Sequence, residues 1–138
     1  MPDADPELIV TTQDRPAPPR GATLPVTIVL DHLRSAFNVG NIFRLADAVG
    51  AEAIIACGYT ASPPHPKLAQ TARGCDQIVP CRPCPSAAAA VAALQQAGYW
   101  VCAVETAAAA PPVWDAPLRF PAAFVFGNEA LGIAPAAL

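Results

Sequence analysis

The chain has 138 residues, of which 31 are alanine and 17 are proline, so it can build one modest hydrophobic core and a single domain. Its net charge of −3 gives it no basic field of the kind that holds nucleic acids, and its longest uninterrupted apolar run, Ala87 to Leu94, is too short to span a membrane. The acidic N-terminus is unlike a signal peptide, and we expect a soluble, cytoplasmic protein.

The first 24 residues contain five prolines and almost no periodic apolar pattern. Such a segment buries too little surface to offset the entropy of ordering it, which predicts a disordered, Pro-rich tail. The folded domain is therefore expected to span residues 25–138. It opens with a β-branched run that predicts a first strand over residues 26–31.

A helix is predicted next, with Asn38 as its N-cap and an end at about Val49, before Gly50. Apolar residues at helical spacing predict the stripe that faces the core: Ile42, Leu45, Ala46 and Val49. The opposite face then carries Gly40, Asn41, Arg44 and Asp47.

The remaining segments alternate between strands and helices. In chain order we expect a buried strand at 52–58, a Pro-rich loop (TASPPHPKL), a weaker strand at 77–81, an Ala-rich helix at 87–97 capped by Ser86, a strand at 99–105, a loop at 107–121 and a strand at 122–127. This order predicts an α/β domain with a mostly parallel sheet and flanking helices. The last strand is apolar on both faces, so we expect it inside the sheet.

Polar residues gather at two places that an open α/β sheet would bring to the carboxyl ends of its strands. Arg44, near a helix start and accompanied by asparagine amides, could hold a phosphate or a ribose edge, or it could simply pair with Asp47 on a solvated face. Gly127 and Glu129 directly follow the last strand. Alone, the string GNE is also explained by a turn with an exposed Glu129.

The helix that carries Arg44 and the segment around Gly127 and Glu129 are a more specific signal together than either is alone. NVGNIFRLADAVGA (38–51) and FVFGNEALGI (124–133) resemble the first and second motifs of the SpoU family of RNA ribose 2'-O-methyltransferases, in the SPOUT class. The stretches GYTASPPHPKLAQTARGCDQIVP and AGYWVCAVET resemble the variable loop and fourth-strand segment of that family, so the resemblance covers roughly residues 25–138. It implies a SPOUT-like fold, a homodimer, and methyl transfer from S-adenosyl-L-methionine to a ribose 2'-hydroxyl of tRNA or rRNA.

Matching the motifs residue by residue implies two sets of site residues. The catalytic set is Asn38, Arg44 and Glu129, and the cofactor-binding set is Val104, Gly127 and Asn128. Because a guanidinium is a poor general base, we expect Arg44 to orient the ribose and an adjacent phosphate. Glu129 would either hold Arg44 or the Asn38 amide, or only anchor its own loop.

One part of the family pattern has no counterpart. The third motif, an Ile-Pro-Met turn followed by a Ser-Leu-Asn helix, lies beyond the second, so we expect a C-terminally truncated product or a partial sequence without the knot segment. The alternative function is a non-catalytic α/β remnant that binds RNA or a partner.

The sequence also contains a C-x-x-C pair, Cys81 and Cys84. Such a pair leaves open a redox pair or half of a zinc site, although no metal centre is expected because further ligands at paired spacing are lacking.

Overall fold

The computed structural model describes residues 20–138. Its strands are β1 (Leu24–Asp31), β2 (Ala51–Cys57), β3 (Cys81–Cys84), β4 (Trp100–Val104) and β5 (Ala122–Gly127), and its helices are α1 (Ala36–Val49), α2 (Pro66–Ala72) and α3 (Ala87–Gln96). The strands form one parallel sheet in the order β3-β2-β1-β5-β4, which confirms the predicted α/β class. Of the predicted tail, residues 1–19 lie outside the described part of the chain.

The helices cover the two faces of the sheet in separate layers. Alternation along β1 sends Ile28 and Leu30 into a core with α1 and α2, and sends Val29 into a second core with α3. The short 3₁₀ segments Cys75–Gln77, Val113–Asp115 and Pro135–Ala137 lie in the connections.

β5 lies between β1 and β4, as the apolar character of both its faces predicts. Val125 is fully buried under α3, but Phe126, on the opposite face, remains 36% exposed. On that face Phe124 contacts Trp100 edge-on, with ring centroids 6.1 Å apart. The α1 side of β4 and β5 is therefore less completely covered than the rest of the sheet.

The predicted start of the first helix is wrong, and its predicted core face is only partly right: Ala46 is buried and Ile42 packs against the core, but Leu45 and Val49 do not. Ser35, not Asn38, is the N-cap, and its hydroxyl accepts the N–H of Asn38 at 3.1 Å. The buried residues of α1 are Val39, Gly40, Phe43 and Ala46, whereas Leu45 and Val49 are at least half exposed. The buried face is rotated because α1 packs against α2 as well as against the sheet.

The region between β2 and α3 also differs from expectation. The predicted loop TASPPHPKL contains the start of α2, whose N-cap His65 accepts the N–H of Lys67 through Nδ1 at 3.2 Å. The weak strand expected at 77–81 is displaced, since the third strand is Cys81–Cys84. Val79, which suggested a strand, is buried in the core under α1 and α2 instead.

The other boundaries agree within one or two residues. β1 begins at Leu24, two residues before the predicted start, and the N–H of Leu24 donates to the carbonyl of Gly50 at 2.7 Å. α3 has the predicted N-cap, with the Ser86 hydroxyl accepting the N–H of Ala89 at 3.1 Å.

Candidate functional site

The candidate site lies where β1, β4 and β5 end at one edge of the sheet. In the register of the strands, Gly127 is opposite Asp31 and Phe126 is opposite Val104. Because parallel strands end together, the residues that follow β5 meet the segment that leads from β1 into α1. We call residues 128–134 the β5 loop.

Glu129 joins the β5 loop to the start of α1. Its carboxylate accepts the backbone N–H of Arg34 at 2.9 Å and that of Ser35 at 3.3 Å, and it lies 3.5 Å from Nδ2 of Asn38. These contacts join residues that are more than 90 positions apart in sequence. The arrangement holds the Asn38 amide, which is one of the two roles that the sequence left open for Glu129.

The same contacts stabilise the ionised form of Glu129. The N–H of Arg34, more than any other group, lowers the pKa of this carboxyl below its ordinary value, and the N–H of Ser35 and the Asn38 amide add to the effect. Glu129 is therefore a charged hydrogen-bond acceptor at neutral pH.

Asn128 organises the β5 loop from within. The residue is 5% exposed, and its Nδ2 donates to the carbonyl of His32 and to the hydroxyl of Tyr59, both at 2.7 Å. Its Oδ1 accepts the N–H groups of Ala130 and Leu131 at 2.8 and 2.9 Å. The side chain thus fixes the loop and ties it to the loops after β1 and β2, a role that needs a carboxamide.

Gly127 is packed against its own loop. A Cβ atom at this position would overlap the backbone of Gly132 and Ile133, because Asn128 and Gly132 form an antiparallel bridge. The absence of a side chain at Gly127 is therefore required by the return of the chain, whatever else contacts it on its remaining side.

Two further carboxylates hold the loop, and the sequence reasoning did not single out either of them. Asp31, which is 2% exposed at the end of β1, accepts the N–H of Ala134 at 2.7 Å. Glu105, directly after β4, accepts the N–H of Ile133 at 2.9 Å. Acidic residues at the ends of predicted parallel strands were the signal that could have found them.

His32 has an acidic partner in the preceding residue, Asp31. Its Nδ1 lies 2.7 Å from Oδ1 of Asp31, and its ring contacts Tyr59 edge-on with centroids 4.8 Å apart. Its backbone has a left-handed φ of 53°, which is uncommon for a residue other than glycine. These contacts place the imidazole beside the Asn128 network.

Arg44 is not part of this cluster. It lies six residues after Asn38 in α1, about 9 Å along the helix axis, and it is exposed. Within residues 20–138 it forms no ion pair, so the pairing with Asp47, one of the two alternatives that the sequence left open, is not found. It lies near Cys75, since its charge partly offsets the raised pKa of that thiol, for which burial is the main cause.

The cysteines do not form the redox pair or zinc half-site that the C-x-x-C spacing suggested. Three residues apart on β3, Cys81 packs against the α1 and α2 core and Cys84 against the α3 core, on opposite faces of the sheet. All five cysteines are free. In the part of the chain that the structure covers, no group of three His, Cys, Asp or Glu side chains could hold a metal ion.

None of the helices in residues 20–138 is long and apolar enough to cross a membrane.

The sequence model of the SpoU rRNA Methylase family matches residues 25–138, which is nearly the whole chain. Among curated proteins, the 23S rRNA (guanosine-2'-O-)-methyltransferase RlmB of Ralstonia nicotianae is 34% identical over 110 residues, covering 79% of this chain and 43% of the relative. RlmB of Pseudomonas putida is 31% identical over 115 residues, covering 83% and 46%. The chain thus spans less than half the length of these relatives.

Solved structures of related proteins resemble this chain in fold. A TrmH-family protein from Porphyromonas gingivalis has a TM-score of 0.74 at 28% identity, covering 88% of this chain and 49% of that one. The SpoU methyltransferase AviRb from Streptomyces viridochromogenes, solved in complex with the cofactor AdoMet, has a TM-score of 0.69 at 28% identity, covering 86% and 46%. Most of this chain therefore has the same fold as about half of each of these two proteins.

Proposed function

Because the chain belongs to the SpoU rRNA methylase family, we propose that it takes part in the transfer of a methyl group from S-adenosylmethionine to a ribose 2'-hydroxyl of tRNA or rRNA. The observation that carries this proposal is the carboxylate of Glu129, which joins the β5 loop to the start of α1 and holds the Asn38 amide. Its relatives named RlmB methylate a guanosine 2'-oxygen of 23S rRNA, and AviRb binds AdoMet.

The β5 loop fits a cofactor that carries hydrogen-bond donors. The N–H groups of residues 130–134 are all used inside the protein, by Asn128, Glu105 and Asp31. The polar groups that the loop can offer are therefore mainly carbonyl oxygens, which suit the amino groups of S-adenosylmethionine. When bound, that cofactor supplies an electrophilic methyl group on a sulfonium sulfur. We assign its binding to Val104, Gly127 and Asn128, at the ends of β4 and β5.

We assign the other three residues to the RNA side of the site. Asn38, held by Glu129, orients the ribose through its amide, and Arg44 binds a phosphate farther along α1. Glu129 is a positioning residue, because its oxygens are occupied by the N–H groups of Arg34 and Ser35 and by the Asn38 amide.

The test is methyl transfer from radiolabelled S-adenosylmethionine to transcribed 23S rRNA fragments and tRNA, with the product located by its resistance to alkaline cleavage. Arg44→Ala should lower turnover at least about a hundredfold while leaving cofactor affinity unchanged. Arg82→Ala, which removes an exposed arginine on the edge strand β3, is the matched control and should retain activity. An equal loss of cofactor affinity on Arg44→Ala would show that Arg44 is assigned to the wrong ligand.

The second candidate is the non-catalytic module that binds RNA or a partner. The separation of Arg44 from the Glu129 cluster favours it. RNA binding that depends on Asn38 and Arg44, together with no methyl transfer to any RNA tested, would decide for this module.

We also propose that the chain acts as a homodimer in the cytoplasm, where a ribosomal or transfer RNA substrate is found. Support comes from apolar side chains that are half or more exposed near β4 and β5: Phe120 and Trp114. Sedimentation equilibrium distinguishes a dimer from a monomer directly.

A further inference from the structure

Glu105 occupies a specific place at the edge of the candidate site. It is the first residue after β4, and it reaches across to the β5 loop, 28 residues later in the sequence. One carboxylate oxygen, Oε2, accepts the N–H of Ile133 at 2.9 Å, and Oε1 accepts the N–H of Thr106 at 3.1 Å. The side chain therefore connects the end of β4 to residues 132–134, which we call the returning arm of the β5 loop.

Glu105 also lies close to Gly132. Gly132 has a left-handed φ of 71°, and a Cβ atom there would lie 2.5 Å from Oε2 of Glu105, which is too close without a shift of the carboxylate. The next residue, Ile133, is only 4% exposed and packs in the α3 core. The backbone of these two residues is thus fixed from one side by the carboxylate and from the other by the core.

Glu105 and Asp31 each accept one backbone N–H group of this arm. Asp31 accepts the N–H of Ala134 from the end of β1, and Glu105 accepts the preceding N–H from the end of β4. Since β5 lies between those two strands, the loop is fastened to both neighbours of the strand from which it emerges.

We propose that Glu105 is a positioning residue for cofactor binding: through Gly132 and Ile133, its carboxylate sets the shape of the β5 loop that receives S-adenosylmethionine. The part that concerns the cofactor rests on the proposed function, whereas the hold on the loop does not. Removing the carboxylate frees the N–H of Ile133 and lets this arm move. A glutamine in its place keeps an acceptor oxygen for that N–H.

The test compares Glu105→Ala, Glu105→Gln and the control Asp115→Ala, which removes an exposed carboxylate farther along the connection between β4 and β5. Amide hydrogen exchange, read residue by residue on the folded chain, should be at least about tenfold faster at Ile133 in Glu105→Ala. It should stay near the parent rate in Glu105→Gln and in the control. Ala134, whose acceptor is Asp31, should change less than Ile133 in every variant. A urea titration of each variant separates this local effect from a loss of global stability.

Isothermal titration with S-adenosylmethionine then tests the role toward the cofactor. We expect the dissociation constant to rise at least about fivefold in Glu105→Ala, and to be largely restored in Glu105→Gln. Unchanged exchange at Ile133 in Glu105→Ala would overturn the hold on the loop. Faster exchange with unchanged affinity would overturn only the role in cofactor binding. If the parent chain itself binds no S-adenosylmethionine, the cofactor role fails together with the cofactor assignment, and the exchange data still decide the hold on the loop.

Discussion

Gly40 of α1 lies directly against Thr71 of α2. A Cβ atom at Gly40 would overlap the Thr71 hydroxyl and lie 2.9 Å from the backbone N of Ala72. The Thr71 hydroxyl also donates to the carbonyl of Phe37 at 2.6 Å, so the two helices are joined at the turn of α1 that presents Asn38.

We therefore expect Gly40→Ala to destabilise the protein, although alanine is the better helix former by about 1 kcal/mol. Overpacking at this contact should cost about 1 to 3 kcal/mol in the free energy of unfolding, measured by urea titration. Gly21→Ala is the matched control, because nothing lies within 4 Å of a Cβ atom at Gly21. Equal stability of the two variants would contradict this packing.

The lowered pKa of Glu129 predicts a pH-dependent contribution to stability. A carboxyl whose pKa is lower in the folded chain stabilises it above the unfolded value, and this contribution is lost as the pH falls through the lowered value. The difference in unfolding free energy between the parent and Glu129→Gln should be constant at neutral pH and should shrink below the ordinary value of 4.5. Because Glu129 is exposed to solvent, the difference should stay below about 1 kcal/mol. A difference that stays the same from neutral pH to well below 4.5 would refute the assignment.

Asn128 should be among the most sensitive positions of the site. Asn128→Ala removes a buried carboxamide and leaves two N–H groups and a carbonyl without their partner, which should cost about 2 to 4 kcal/mol. Tyr59→Phe deletes only one of these contacts and should cost about 1 kcal/mol. Chemical denaturation of both variants measures the two losses in the free energy of unfolding. A smaller loss in Asn128→Ala than in Tyr59→Phe would contradict the prediction.

Thiol reactivity should follow burial. Burial raises the pKa of Cys57 to about 12 and that of Cys81 to about 11, and Cys57 has no exposed surface. Because the thiolate is the reactive form, alkylation of the folded chain at pH 8 should be faster at Cys102, which is partly exposed. Mass mapping of alkylated peptides, with and without urea, tests this order. Prompt labelling of Cys57 without urea would contradict it.

The strands and helices that the sequence predicted well are those whose signals are local. β5 is an uninterrupted apolar run before Gly127, and α3 follows a serine cap and consists largely of alanine, so their bounds agree with the structure to within a residue. The contact of Glu129 with the Asn38 amide is one of the alternatives that the sequence leaves open, beside a contact with Arg44 and the anchoring of its own loop.

The errors have a common physical origin in tertiary contacts. Prolines concealed α2, although proline is well tolerated in the first turn of a helix, where its missing N–H is not needed. Without α2, the buried face of α1 was assigned to Leu45 and Val49, which lie in solvent. The contacts of Glu105 and Asp31 are hard to predict because their partners are backbone N–H groups, so only the position of each residue at a strand end marks it in the sequence.

The position of β5 also constrains how the chain reaches its folded state. The β1–β2, β2–β3 and β4–β5 pairings each join residues 22 to 27 positions apart, but β5 also pairs with β1. β5 must therefore enter between β4 and β1, and its residues pair with β1 residues 96 positions earlier, as Val125 does with Val29. Bringing such distant residues together costs loop-closure entropy before the contacts between the strands can stabilise the chain. We therefore expect folding on a scale of milliseconds to seconds. Assembly of the candidate site should coincide with that late step, since Gly127 and everything after it arrive with β5.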